Sequence, residues 1–348
     1  MKFNKRIRIG KKQISNDDAV FIIAEAGVNH NGDINLAKKL IDVAAKAGAD
    51  AVKFQAFKTE SLILADVEKA SYQQITTGKG ETQFEMLKRL EITLHQNVEL
   101  MEYCKQRNII FLTTPFDENS LDEMDALDLP AYKVASTDTT NLPFLKRIAK
   151  KGKPIFLSTG MSYLSEVSEA LKEITEFNHD IVLLQCTANY PIKDEEANLN
   201  VIQTYKEEFD ILVGYSDHSV GLGASPFAVP MGACVVEKHF TLDKKATGPD
   251  HTASLSPDEL KLYVKQIRTV EKYLGTYEKE PTADEQLTRR SLQKCLVALC
   301  EIKIGEAFTE NNIVAKRTGG QGISPIHYKD LLTKTASRNY KPNDIIDE

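Results

Sequence analysis

Several residues able to bind anions, hold a divalent metal or move protons stand where short apolar runs of this chain end. ILVGYSDH closes on Ser216, Asp217 and His218, and ACVVEKHF closes on Glu237, Lys238 and His239. Neutral imidazole ligates divalent cations, so two histidines ending successive runs could hold Mn, Mg or Zn as a Lewis acid. AVFIIAEAGVNH delivers Glu25, a carboxylate able to orient water or carry a proton, followed by Asn29 and His30. ADAVKFQAF delivers Lys53 and Gln55, NIIFLTTPFD delivers Thr113, Thr114 and Asp117, and AYKVASTD delivers Lys133, Ser136 and Asp138. PIFLSTG adds Ser158 and Thr159, and IVLLQCTANYP adds Gln185, Thr187, Asn189 and Tyr190. Lysines beside hydroxyls suit a phosphate or carboxylate, because the ammonium offsets charge while the hydroxyls fix orientation. Asn29-His30-Asn31 lies between Gly27 and Gly32 and does not match G-x-G-x-x-G, so dinucleotide binding is not supported. Cys186 sits inside a run and reads as core.

Eight such runs, each punctuated at its C-terminal end, need a scaffold that gathers those ends. A parallel barrel of eight strands does so on one face. Segments of helical period lie between the runs. INLAKKLIDVAAKAG places Leu36, Leu40, Val43 and Ala44 on one stripe before Gly48, and Ser256-Pro257-Asp258-Glu259 opens another helix with a capping serine and a proline at the first position. Alternating strand and helix predicts a parallel sheet, closed or open. Residues 58–83 are polar and predict a long loop beside the site. Residues 1–276 are expected to form the catalytic barrel domain, 277–288 a charged, proline-containing linker, and 289–348 a small domain of short strands and turns.

Composition narrows the function classes. The chain has 348 residues and a net charge of −6, and it carries no basic stripe interleaved with aromatics, which argues against nucleic acid. Five cysteines without C-x-x-C spacing argue against a disulfide framework or structural zinc. The basic N-terminus lacks an apolar core, and no run of eighteen apolar residues occurs, so a cytoplasmic protein without a membrane partner is expected.

AEAGVNHNGD, VKFQAFKTE, FLTTPFD, FLSTGM, GYSDHS, EKHFTLD and GPDH, in this order, resemble the sialic acid synthase family, which makes N-acetylneuraminate, legionaminate and pseudaminate. KIGEAFTENNIVAKRTGGQGISP resembles that family's antifreeze-like (SAF) domain. The resemblance implies a (β/α)8 TIM barrel followed by a β-rich SAF domain. It also implies condensation of phosphoenolpyruvate with an N-acetylated six-carbon sugar, either N-acetylmannosamine or 2,4-diacetamido-2,4,6-trideoxymannose, with phosphate release. By the same resemblance Lys53, Thr114, Lys133, Ser136, Ser158 and Ser216 bind phosphoenolpyruvate. Gln55, Asp138, Tyr190 and Asp250 contact the sugar, Glu25 transfers a proton or orients water, and His218 and His239 hold manganese or magnesium. Arg317 is expected to reach the sugar across a domain-swapped homodimer, and Asp217 to fix a metal histidine's tautomer. Asp138 stands where most of the family carries glutamate, and Phe54 and Ala188 depart from the N-acetylneuraminate pattern, closer to the legionaminate branch. Two alternatives stay open: another metal-dependent barrel aldolase or phosphoenolpyruvate-condensing synthase, and a non-catalytic carbohydrate-binding protein.

Overall fold

Strand side chains alternate between two faces, so each apolar run must satisfy two interiors at once. The structure, a computed structural model, describes residues 1–78 and 80–348, and of Tyr72 only the backbone. β1 (Ile7–Ile9) and β2 (Lys12–Ile14) form an antiparallel hairpin. The eight runs become β3 (Phe21–Gly27), β4 (Ala51–Ala56), β5 (Ile110–Pro115), β6 (Tyr132–Val134), β7 (Ile155–Ser158), β8 (Ile181–Cys186), β9 (Leu212–Asp217) and β10 (Val235–His239). They form one sheet in the order β5-β4-β3-β10-β9-β8-β7-β6. The end strands β5 and β6 lie side by side, which closes a (β/α)8 barrel.

Phe21 and Ile23 of β3 join Leu112, Phe156, Val182, Leu184, Leu212 and Val235 in the barrel interior, while Ile22 and Ala24 pack into the outer layer beneath the helices. Ile7, Ile9 and Ile14 of the hairpin belong to the same interior cluster, so the hairpin seals the barrel at the N-terminal ends of its strands. Their alternation about the Gly10-Lys11 turn is a strand signal that the basic composition of this stretch obscures. Space inside is tight at Gly214, where a Cβ would stand 2.5 Å from Leu184 Cδ2. The helix Ile34–Ala47 starts at the side chain of Asp33 and stops at Gly48, and Pro257–Leu274 is capped by Ser256 and Glu259 in a reciprocal box.

Two expectations are corrected. The stretch 58–83 is not an unstructured loop, since it contains the helices Thr59–Leu62 and Ser71–Thr77 and leads into Gln83–Lys88. The stretch 277–288 is not only a linker, because the exposed helix Ala283–Leu292 begins within it. In the second place a Thr-x-x-Glu box, Thr282 with Glu285, satisfies the free N–H groups of the helix start and overrides the polar composition; in the first, the like box of Thr82 with Glu85 starts only the following helix, Gln83–Lys88. The chain divides into Met1–Gly275 and Thr276–Glu348. The second unit pairs β11 (Lys294–Ala298) with β12 (Ile313–Arg317) antiparallel over a core that includes Leu296, Phe308, Tyr340 and Ile346. Among the described residues no helix is long and apolar enough to cross a membrane.

Candidate active site

Strand alternation selects which polar side chains enter the barrel. Continuing the inward face past its apolar layer brings Glu25, Lys53, Thr114, Lys133, Ser158, Cys186, Ser216 and Glu237 to one cavity of about 610 Å³. Register sets the neighbours: His239 lies beside Glu25, Glu25 beside Lys53, and Glu237 beside Ser216.

The cavity floor is a network of buried charge. Lys53 Nζ lies 2.8 Å from Glu25 Oε2 and 3.7 Å from Glu237 Oε2, and donates to Thr114 Oγ1 at 3.0 Å. Lys133 Nζ lies 3.7 Å from Glu237 Oε1 and donates to the Val134 carbonyl. The Ser216 hydroxyl donates to Glu237 Oε1 at 2.9 Å. Burial pushes the Glu25 carboxyl up to about 7 even though Lys53 opposes the shift. Burial works against the Glu237 carboxylate too, but Lys133 and Lys53 together hold it below the ordinary range. Burial pushes Lys133 down, whereas for Lys53 it is outweighed by Glu237 and Glu25, which hold that ammonium up. At neutral pH two lysines therefore face one firmly ionised carboxylate and one that is near half-protonated. Ser158 Oγ is buried with no hydrogen-bond partner among the described residues, a cost that a ligand oxygen would remove. Ser136 Oγ accepts from the Gly160 N–H at 2.9 Å.

His218 and His239 face each other with ring centroids 5.7 Å apart, and the Tyr190 ring lies 4.0 Å from the first and 5.3 Å from the second. His218 Nδ1 sits 2.8 Å from the Thr187 carbonyl oxygen, which makes Nδ1 the donor and leaves a lone pair on Nε2. Burial keeps His239 neutral, with its pKa well below the usual value, and its buried Nδ1 has no hydrogen-bond partner among the described residues. Burial works against a charge on His218, but Cys186, the Thr187 carbonyl and Glu237 outweigh it and raise the pKa of that imidazole, so a metal there would displace a proton from it; with that proton gone the pair fits a divalent metal. No group of three or more His, Cys, Asp or Glu ligands forms among the described residues, so water and substrate oxygen would complete the coordination.

Asp217 does not fix the histidine. It follows Ser216 by one residue and therefore points out of the barrel, where Lys238 lies 3.1 Å away and the hydroxyls and N–H groups of Ser219 and Ser225 donate to it. The Thr187 carbonyl takes the role expected of Asp217. Glu237 is the functional residue that sequence reasoning left unassigned, although it stands two positions before His239 on the same inward face.

Gln55, Asp138, Tyr190 and Asp250 line the same cavity. Gln55 Nε2 is 3.5 Å from Glu25 Oε1, and Asp138 accepts from Asn141 and Thr137. Burial pushes Asp250 up to about 6 and raises Asp138 as well. Asn29 Nδ2 donates to the Phe240 carbonyl and to Ser254 Oγ, and that hydroxyl donates to the Asp250 carbonyl, so the turn after β3 holds the segment carrying Asp250. Gly27 has φ +52°, and a Cβ there would lie 3.3 Å from both Glu25 Oε1 and His239 Cε1. Arg317 ends β12 in the second unit.

Residues 40–279 match the NeuB family. The chain is 48% identical over 330 residues to N,N'-diacetyllegionaminic acid synthase of Campylobacter jejuni, covering 94% of this chain and 98% of that protein. It is 40% identical over 341 residues to the protein of the same name from Legionella pneumophila, covering 97% and 95%. Among solved structures, N-acetylneuraminic acid (sialic acid) synthetase of Leptospira borgpetersenii, in complex with citrate, superposes with a TM-score of 0.72 at 35% identity over 84% of this chain and 98% of that one.

Proposed function

The chain belongs to the NeuB family, and from that premise we propose that it condenses phosphoenolpyruvate with an N-acetylated six-carbon amino sugar, yielding a nine-carbon 2-keto sugar acid and phosphate. The observation that carries this reading is the cationic floor. Lys53 and Lys133, buried around Glu237, meet an unpartnered Ser158 hydroxyl, and a small phosphorylated carboxylate complements that arrangement.

In the reaction, C3 of phosphoenolpyruvate bonds to the sugar aldehyde carbon and the aldehyde oxygen gains a proton. A water oxygen then adds at C2, and phosphate departs with the bridging oxygen. Lys53 and Lys133 offset the charge of phosphate and carboxylate, and Thr114, Ser136, Ser158 and Ser216 orient them. Glu25, titrating near neutrality, can hold a proton at its carboxyl oxygens or release it. Gln55, Asp138, Tyr190 and Asp250 contact the sugar. His218 and His239 would hold a divalent metal, Mn or Mg, which supplies Lewis acidity toward a carbonyl oxygen when bound. A homodimer in which Arg317 of the partner subunit reaches the sugar belongs to the same proposal, supported by the KRTGG motif alone. Use of phosphoenolpyruvate supports a cytoplasmic setting.

The test is phosphate release from phosphoenolpyruvate with manganese and an N-acetylated amino sugar, with the product identified by mass. Sugar-dependent release that EDTA or His239→Ala abolishes, and that Lys133→Ala slows by roughly 10–100-fold in kcat/KM, is expected, since a charged hydrogen bond is at stake. Absence of release with every amino sugar, while phosphoenolpyruvate still binds, would refute the assignment.

A further inference from the structure

On the outer face of the sheet β9 and β10 bury an ion pair that the chemistry of the cavity does not use. Lys238 Nζ lies 3.1 Å from Asp217 Oδ1, in side chains 1% and 0% exposed. The two residues are register partners, and theirs is the last rung between these strands. One residue further along each chain stands a histidine of the cavity. His239 still pairs with Glu25 of β3, whereas His218 has left the ladder with β10. The loop after His218 folds back onto the ion pair. The N–H and hydroxyl groups of Ser219 and Ser225 donate to Asp217, Lys238 Nζ donates to the Ser219 carbonyl at 2.6 Å, and the Ser219 hydroxyl accepts from the Ala224 N–H. Gly223 closes the knot with φ +67°, where a Cβ would stand 2.6 Å from Asp217 Oδ2 and 2.7 Å from Lys238 Nζ.

We propose that Asp217, Lys238 and the loop closed by Gly223 are a positioning element: they fix the spacing of the His218 and His239 backbones and thereby the affinity for a divalent cation. This rests on the reading of both histidines as metal ligands. Asp217 leaves the tautomer of His218 to the Thr187 carbonyl and acts on that residue through the main chain. Neighbouring strands stand about 4.8 Å apart. A rung clamped at the very end of the ladder carries that spacing one residue further, to imidazoles whose centroids are 5.7 Å apart. An apolar pair would hold the two strands together as well as a buried ion pair does, but it would not tie the loop after His218 to the neighbouring strand through directed bonds. With only two side chains from the protein on the cation, a splay of the strand ends forfeits much of the binding. Groups that orient metal ligands from behind change metal affinity by roughly 10–100-fold.

The test titrates Mn²⁺ into the full-length, EDTA-stripped protein without substrates and reads free Mn²⁺ by electron paramagnetic resonance. Lys238→Met keeps the length of the side chain and removes its charge, and it is expected to weaken Mn²⁺ binding by about 10–100-fold. The rise in melting temperature that phosphoenolpyruvate gives in EDTA should stay as in wild type, because Ser216 and Glu237 remain inside the ladder. Gly223→Ala, which drives a methyl into the same knot, is the second probe should Lys238→Met fail to fold, and the same loss is expected. Leu171→Ala, buried in the outer layer under the helices, should lower the melting temperature while leaving Mn²⁺ affinity unchanged. Mn²⁺ affinity within about threefold of wild type in the folded variants, or an equal loss in Leu171→Ala, would overturn the proposal and leave the metal reading intact. Loss of the phosphoenolpyruvate shift along with Mn²⁺ binding would also overturn it, since the whole floor would then have moved. A wild type that binds no Mn²⁺, or binding undiminished in His239→Ala, would overturn the metal reading and this inference with it.

Discussion

Replacing Glu237 with glutamine keeps the shape and the acceptor for Ser216 but removes the carboxylate that Lys53 and Lys133 share. Both ammonium groups lie 3.7 Å from its oxygens, in side chains no more than 6% exposed. At that distance and an effective dielectric near 20, each attraction is about 4 kcal/mol gross. Much of this offsets desolvation, and breaking one partner of a buried charge cluster costs about 3–5 kcal/mol net. For a unit the size of the barrel, each kcal/mol moves the melting temperature by about 2–4 °C, so Glu237→Gln is expected to melt about 6–20 °C lower. Lys133, which burial already pushes down, offers the cheapest escape by losing its proton, so the deficit should grow as pH falls. Thermal melts with and without saturating phosphoenolpyruvate measure both effects. The ligand should raise the variant's melting temperature more than the wild type's, because its anionic groups replace the missing charge. A variant melting within about 2 °C of wild type, with an unchanged ligand shift, would show that Glu237 does not balance these lysines.

Two further outcomes follow from the site's geometry. Glu25 titrates at about 7 in the fold against 4.5 ordinarily, so the folded state binds the extra proton. Its contribution to stability is complete below pH 4.5 and is lost as pH rises through 7. Permanently neutral Glu25→Gln should therefore gain roughly 3 kcal/mol relative to wild type between pH 4.5 and 8, read from urea midpoints, and parallel pH profiles would contradict this. Gly27→Ala would put a methyl 3.3 Å from Glu25 and His239 at a left-handed position, and kcat/KM should fall about 100-fold with the fold retained by circular dichroism. Activity within threefold of wild type would show that the site tolerates displacement there.

The chemistry-bearing ends of the strands were legible because a barrel strand has one simple rule: every second residue enters. Lys53, Thr114, Lys133, Ser158 and Ser216 all obey it and share the cavity. Misreadings arose where adjacency in the chain was taken for adjacency in space. Asp217 neighbours His218 in sequence yet belongs to the outer face, and Glu237, named with His239 at the end of its run, was given no role although alternation alone selects it. The helix that begins within 277–288 was hidden by polar composition, since its signal is a four-residue capping pattern rather than hydrophobic periodicity, and the helices Thr59–Leu62 and Ser71–Thr77 are too short to show a period. Contacts such as the Thr187 carbonyl on His218 depend on backbone placement in a loop, which side-chain type does not encode.

The hairpin whose isoleucines seal the barrel makes the cavity a blind alley. Traffic then has one direction in and the same direction out. The ligand that belongs on the floor must arrive before the one that rests above it, and an acceptor entering an empty barrel stands in the way of its own co-substrate. Excess sugar would then slow turnover without competing for the same contacts.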